Sequence, residues 1–200
     1  IIIDKNGRNV INTLFGANLQ LSPEDICSSK ILSLITESSI LTLIDPPIET
    51  IEAAASLAKK HGKNVIWDAG VRSTLGIERL EAILKNLDYL VVNEVEVKNL
   101  TGETNPLKAW QAISAVNNDL KLIVKLGERG CSMISSEMTI SVPPINLRNL
   151  GLKVVNTVGC GDAFLGVFAA CKAQGFDDIE ALERANLACA LQATRRETRG

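Results

Sequence analysis

The chain of 200 residues has one histidine, one tyrosine, two tryptophans and four phenylalanines. With His61 alone, a histidine-based catalytic triad and a multi-histidine metal site are excluded by count. Aromatic residues make up only 4%, so the core must be built from aliphatic residues and alanine. The five cysteines (Cys27, Cys131, Cys160, Cys171 and Cys189) are odd in number, and no pair has metal-ligand spacing. They read as reduced thiols of a cytoplasmic protein. No apolar run is long enough to span a bilayer. Neither sign of charge dominates, with 21 basic and 23 acidic residues and a net charge of −2. A nucleic-acid stripe and a membrane-binding face are therefore not expected. There is no internal repeat, low-complexity tract or clear linker. Asp4, Lys5, Asn6 and Arg8 break the apolar N-terminal residues too early for a signal peptide. Residue 1 is not Met and already lies in an apolar run, which reads as a fragment or an altered isoform.

What is present is a 46% hydrophobic chain, long enough for one domain with a sizeable core, taken as residues 1–200. Ile1-Ile2-Ile3 and Val10–Leu14 flank an Asn6-Gly7 pair, the pattern of a β-hairpin. Ser22-Pro23-Glu24-Asp25 reads as a helix start. Strand patterns at 39–44, 65–68, 89–92 and 122–127 alternate with helical patterns after Ile51, Ile77 and Leu107. His61-Gly62 stops the first of these helices, so His61 serves a helix end. Such alternation predicts an α/β fold with a mostly parallel sheet flanked by helices. Residues 131–135 and 139–142 form an expected antiparallel pair at the sheet edge, and a last helix starts near Phe176.

The chemistry is expected at the C-terminal strand ends and in one glycine turn. The run Gly151–Val155 reads as a strand leading into Asn156-Thr157-Val158-Gly159-Cys160-Gly161-Asp162-Ala163-Phe164, after which apolar residues recur at helical spacing. Strand, glycine turn and helix point free backbone N–H groups at an anion. Asp162 in the first helical turn is either a cap or a catalytic base. Cys160 sits where a thiol pKa can fall, although the position also simply demands a small residue. At the strand ends stand Asp45, Asp68 and Asn93. Asp45 is a turn residue or a substrate contact; Asp68 has Arg72 near enough in sequence to pair with it. Asn93 and Glu96 lie one helical turn apart, as a plain cap or as holders of a hydrated magnesium ion. Lys125 is a solvated strand-end lysine or a phosphate neutraliser.

The string 156–164 resembles the C-terminal signature of the ribokinase (PfkB) family of carbohydrate kinases. Asn93-Glu94-Val95-Glu96 is similar to the family's Asn-x-x-Glu motif, and Lys125-Leu126-Gly127-Glu128-Arg129-Gly130 to its Leu-Gly-x-x-Gly element, in the family's order. The resemblance implies a ribokinase-like fold whose residues 1–15 are a remnant of a β lid, with the family's N-terminal part absent. It implies ATP-dependent phosphorylation of the primary hydroxyl of a sugar, ribose foremost, with fructose or a nucleoside as alternative acceptors. In that scheme Asp162 is the base and contacts the sugar, and Gly159, Cys160 and Gly161 form the anion hole. Asp45 touches the sugar. Asn93, Lys125, Gly127, Gly130 and Asn186 line the nucleotide site. Asn93 and Glu96 organise Mg2+, and Asn156 and Val158 border a potassium site. Glu197-Thr198-Arg199-Gly200 departs from the family's Arg-x-Gly-Ala ending, which bears on the adenine pocket and the cation site. A homodimer is implied for a full-length protein. For a chain without the sugar clamp, a nucleotide-binding isoform that transfers nothing is the other expectation, together with poor solubility from an exposed sheet edge.

Overall fold

A computed structural model describes residues 2–3, 9–10, 12 and 14–196, with residues 3, 9 and 10 described as backbone only. The expected Asn6-Gly7 turn and the divergent tail 197–200 lie outside the described residues. Strands β1 (Ile2–Ile3) and β2 (Asn9–Val10) pair antiparallel, as the hairpin pattern predicts.

The chain divides into two compact units. The larger spans 15–127 and 132–141. It opens with α1 (Pro23–Ile26), where Ser22 and Asp25 form a reciprocal capping box and Pro23 takes the first helical position. Helix α2 (Ser29–Glu37) follows. Then β3 (Ile40–Leu43), α3 (Ile48–Lys60), β4 (Asn64–Asp68), α4 (Gly76–Leu84) and β5 (Tyr89–Asn93) alternate. Helices α5 (Glu94–Thr101) and α6 (Pro106–Ser114) lead to β6 (Lys121–Lys125). Strands β7 (Cys131–Ile134) and β8 (Thr139–Val142) complete a sheet ordered β3-β4-β5-β6-β7-β8. The first four strands are parallel. The short link between β7 and β8, closed by Ser135 N donating to the Met138 carbonyl at 3.0 Å, is possible only between antiparallel neighbours.

Alternation along the parallel strands places Val65, Trp67, Leu90, Val92, Leu122 and Val124 in one cluster with the apolar faces of α3 to α6. The intervening Ile66, Val91 and Ile123 are fully buried too, as parallel strands require. Helix α3 ends at His61, whose N–H donates to the Leu57 and Ala58 carbonyls before Gly62 turns left-handed at φ +68°. The sheet ends on one side at β3. Beside it lies an apolar groove of about 320 Å3, lined among others by Leu21, Ile26, Leu34, Ile35 and Leu41. Leu34 of α2 is 58% exposed beside it.

The smaller unit holds 1–14, 128–131 and 142–200. Its body is a pair of helices, α7 (Cys160–Ala173) and α8 (Asp178–Gln192). Phe164 and Phe168 stack at 6.4 Å between ring centroids and are buried with Leu165, Leu182 and Ala185. The Asp177 side chain caps α8 by accepting from Glu180 N at 2.8 Å. One expectation fails. Residues 151–155 are not a strand. After a 3-10 turn at Leu147–Leu150 they run without a sheet partner, Val154 is 56% exposed, and Val155 N and Asn156 N both donate to the Ala193 carbonyl. The apolar residues there follow the end of α8 and not a neighbouring strand.

Candidate active site

Parallel strands deliver their C-terminal ends to one edge, so the larger unit gathers Asp45, Asp68, Asn93 and Lys125 there. Register sets Asn93 opposite Lys125 and Asp68 opposite Val91. Two contacts pin the loop after β3: Trp67 Nε1 donates to the Ile44 carbonyl at 3.1 Å, and Arg72 Nη2 to the Pro46 carbonyl at 3.2 Å. Gly70 lies against Asp45, where an added Cβ would meet Oδ1 at 3.4 Å.

Asp68 bonds to Lys125 and not to Arg72, which corrects the pairing expected from sequence. Lys125 Nζ lies 2.6 Å from Asp68 Oδ2, and both side chains are more than four-fifths buried. Asp68 Oδ1 also accepts from Gly70 N at 3.3 Å. Lys125 reaches across the end of β5 to do this, so its position in the chain concealed the partner.

Asn93 and Glu96 are brought together, and they hold each other. Asn93 Oδ1 accepts from Val95 N at 2.9 Å and Glu96 N at 3.0 Å. In return Glu96 Oε2 accepts from Asn93 N at 2.8 Å, and Oε1 from Asn93 Nδ2 at 2.7 Å. The plain-cap reading of this motif is therefore realised in full. Burial pushes the Glu96 carboxyl above the usual range; the Asn93 backbone N–H opposes this, Asp68 and Asp45 add to it, and Lys125 offsets them. The sign follows directly. An acid whose folded pKa is raised favours the folded state below its unfolded pKa, and that stability is lost as pH rises through the folded pKa. Replacing Glu96 by Gln is expected to flatten this part of the pH dependence. Thermal melts of both proteins from mildly acidic to neutral pH check it; identical slopes would contradict the assignment.

In the smaller unit, Gly159 takes a left-handed conformation at φ +80°, and α7 starts behind it with no side-chain cap. The turn is closed by Cys160 N donating to the Thr157 carbonyl at 3.3 Å and by Ala163 N donating to the Gly159 carbonyl at 2.9 Å. First-turn amides of such a helix, here at Gly161 and Asp162, are directed off its end with the positive pole of the helix behind them. Asp162 is exposed in that turn and caps nothing. The Cys160 thiol is pushed up, not down, by a hydrogen bond to Cys189 and by burial. This agrees with the reading that the position simply demands a small residue.

Asn156 Oδ1 accepts from Val158 N at 2.9 Å, and the Val158 carbonyl accepts from Gln192 Nε2 at 3.5 Å. Both candidate cation ligands are thus engaged within the chain. Asn186 is buried, its amide donating to the Pro143 carbonyl at 2.9 Å. Gly127 starts a 3-10 turn at φ +60°. Gly130, at φ +87°, is tightly surrounded: an added Cβ would lie 2.1 Å from the Val142 carbonyl oxygen and 2.8 Å from the Pro143 carbonyl carbon. Gly130→Ala is expected to cost about 2–3 kcal/mol, from left-handed strain and forced backbone displacement together. Denaturant titration checks this; a loss within about 0.5 kcal/mol, the range of inert surface changes, would contradict it.

Among the described residues no group of three or more His, Cys, Asp or Glu side chains is arranged to hold a metal ion, and no helix is long and apolar enough to cross a membrane.

A family model described as pfkB family carbohydrate kinase matches residues 1–200. The ribokinase of Arabidopsis thaliana is 32% identical over 199 residues, covering 96% of this chain and 50% of that protein. The deoxyribokinase of Salmonella typhi is 29% identical over 206 residues, covering 99% of this chain and 63% of its own length. The structure of Arabidopsis thaliana ribokinase complexed with ribose and ATP superposes with a TM-score of 0.82 at 29% identity, over 98% of this chain and 62% of that one. Ribokinase from Thermotoga maritima gives 0.79 at 30%, with the same coverage. The chain thus spans between half and two thirds of the length of these relatives. With a ribokinase-like α/β fold and a match along its whole length, the chain belongs to the pfkB family of carbohydrate kinases.

Proposed function

We propose that this chain phosphorylates the primary hydroxyl of a sugar, D-ribose foremost, with ATP as phosphoryl donor. The observation that carries the reading is the uncapped start of α7 behind left-handed Gly159, with the exposed Asp162 carboxylate in the same turn. Asp162 takes the proton from the sugar hydroxyl as its oxygen bonds to the γ-phosphorus and the bond to ADP breaks. The turn of Gly159, Cys160 and Gly161 stabilises charge on the transferring group. Such transfers depend on positioning and electrostatics more than on covalent work by the protein. Asp45 contacts the sugar, while Asn93, Lys125, Gly127, Gly130 and Asn186 serve the nucleotide.

The residues fit a hydrated magnesium ion and not a protein cage. No metal cluster exists among the described residues, yet Glu96 presents a half-buried carboxylate near the acids Asp68 and Asp45. Magnesium is commonly held through one or two carboxylates, waters and substrate phosphates. When bound it neutralises phosphate charge, and Glu96 with Asn93 would hold it through water. A potassium requirement through residues 156–158, a cytoplasmic location and a homodimeric full-length enzyme complete the reading.

Deoxyribose, fructose and nucleosides are the alternative acceptors, given relatives named deoxyribokinase and fructokinase. A chain that binds nucleotide without transferring from it is the second reading, favoured by the fraction of the relatives' length that the chain spans. The test is ADP release with ATP, magnesium and each sugar, with and without potassium. Ribose-dependent release supports the proposal. ATP binding with no transfer to any sugar replaces it with the second reading, and absence of ATP binding by the folded chain removes both.

A further inference from the structure

The proposed chemistry gives no task to Arg72, although it stands beside the loop that carries Asp45. Arg72 belongs to a 3-10 turn, Gly70–Leu75, that follows β4. Its backbone N–H donates to the Ala69 carbonyl at 2.9 Å, and the buried Ser73 hydroxyl ties the turn again by donating to the Gly70 carbonyl at 2.7 Å. From this base the half-buried side chain reaches two other segments of the larger unit. Nη2 donates to the Pro46 carbonyl at 3.2 Å, and the guanidinium carbon lies 5.0 Å from the centre of the Phe15 ring. Nε is buried and has no hydrogen-bond partner.

For stability alone, arginine is a poor choice here. One bond to a neutral carbonyl and one ring contact are offset by burying a donor without an acceptor. An apolar side chain of similar length would cover Phe15 without that penalty. What the arrangement does is fix a backbone. Asp45 is followed by Pro46 and Pro47, whose rings lock their own φ and restrict the residue before each. The carbonyls on both sides of Asp45 are held from β4 and its turn: that of Ile44 by Trp67 Nε1 at 3.1 Å, and that of Pro46 by Arg72. Gly70 closes a third side, where an added Cβ would stand 3.4 Å from Asp45 Oδ1. Trp67 is fully buried and part of the core cluster. Arg72 is only half-buried, so it is the part of this clamp that can be changed without unpacking the sheet.

We infer that Arg72 is a positioning residue for the acceptor: by anchoring the Pro46 carbonyl, it holds the Asp45 carboxylate in the orientation that receives a sugar hydroxyl. This role rests on the proposed contact between Asp45 and the sugar, and it adds the residue that sets how tightly that contact is made. Phe15 serves at one remove, because its ring limits where the planar guanidinium lies.

Binding and transfer are measured separately on the full chain. D-ribose, 2-deoxy-D-ribose and D-fructose are titrated calorimetrically into the parent, Arg72→Met, Arg72→Lys, Asp45→Asn and the double variant Arg72→Met with Asp45→Asn. Methionine covers Phe15 but cannot donate. Affinity for the sugar that the parent binds best is expected to fall about tenfold in Arg72→Met, as for loosening one hydrogen bond to a charged group. ATP affinity and melting temperature are expected to stay those of the parent. Lysine still donates to the Pro46 carbonyl but lacks the planar fork, and is expected to bind about threefold more weakly than the parent. In the double variant, Arg72→Met is expected to add nothing to Asp45→Asn, because it acts through that carboxylate. A residue that only supports the fold would lower melting temperature and ATP affinity together, and its loss would add to that of Asp45→Asn. Should Arg72→Met fail to fold, Phe15→Leu, which loosens the guanidinium without removing it, is expected to weaken sugar binding about threefold, by removing a contact of the cation–π kind. Unchanged sugar affinity in Arg72→Met or, in its place, Phe15→Leu, additive losses in the double variant, or no binding of any of these sugars by the parent would overturn the assignment. Sugar binding that follows the expected pattern without any release of ADP would instead remove the kinase reading and leave the role of Arg72 in place.

Discussion

Asp162→Asn is expected to lower kcat by about 10^3–10^4 while leaving ATP affinity unchanged, the upper range for loss of a positioned general base. That is about 4–5.5 kcal/mol of activation free energy. The substitution keeps shape and a hydrogen-bonding oxygen but removes the proposed proton acceptor. Its side effects should be small. Asp162 is exposed and caps nothing, so the folded state loses only its favourable placement at the positive end of α7, about 0.3–1 kcal/mol. The turn amides remain, because Gly159 and the bonds that close the turn are backbone features. Steady-state kinetics with ribose and calorimetric titration of ATP separate the two quantities. A kcat within tenfold of the parent would remove Asp162 as the base. A parallel fall in ATP affinity would make it a binding residue.

The parts legible in the sequence are those set by local rules. Apolar runs ending in Asp68, Asn93 and Lys125 are strands because parallel strands are buried on both faces, and their polar ends follow from the chain direction. Asn93 with Glu96, and Ser22 with Asp25, were readable as helix starts because capping involves residues three apart. Long-range pairing was not readable. Asp68 and Lys125 meet only because two crossovers set β4 and β6 on either side of β5. Gln192 and Val158 meet only because α8 doubles back on the segment before the turn. The run 151–155 failed for the opposite reason. Its composition is that of a strand, but its backbone partner is a helix-end carbonyl that no periodicity announces. The local pattern at Gly130 points to the nucleotide, while its close constraint, the backbone at 142–143, lies beyond any local pattern.

The same long-range geometry predicts that Lys125→Met destabilises the protein by about 3 kcal/mol, the lower end for breaking a buried ion pair from one side. The loss comes less from the missing attraction than from what remains. Asp68 keeps the Gly70 N–H at 3.3 Å but loses its cation. Glu96, already raised by burial and by Asp68 and Asp45, loses the charge that offsets them. With Lys125 gone the Glu96 carboxyl resists ionisation in the folded state more strongly than before. Its folded pKa rises further, so the variant is closest to the parent below the unfolded carboxyl range and falls behind it as pH increases. Adding Asp68→Asn removes the stranded charge, and the double variant should recover about 1–3 kcal/mol relative to the sum of the single changes. Urea melts of the four proteins at mildly acidic and neutral pH measure both effects. A single variant as stable as the parent at neutral pH would mean that the pair is spent elsewhere. A double variant whose loss equals the sum would mean that Asp68 and Lys125 are neighbours without coupling. If instead the fold is weakened and the double variant restores it, the primary task of Lys125 is to neutralise the acidic strand ends, and the proposed service to a nucleotide phosphate draws on what that ion pair leaves available.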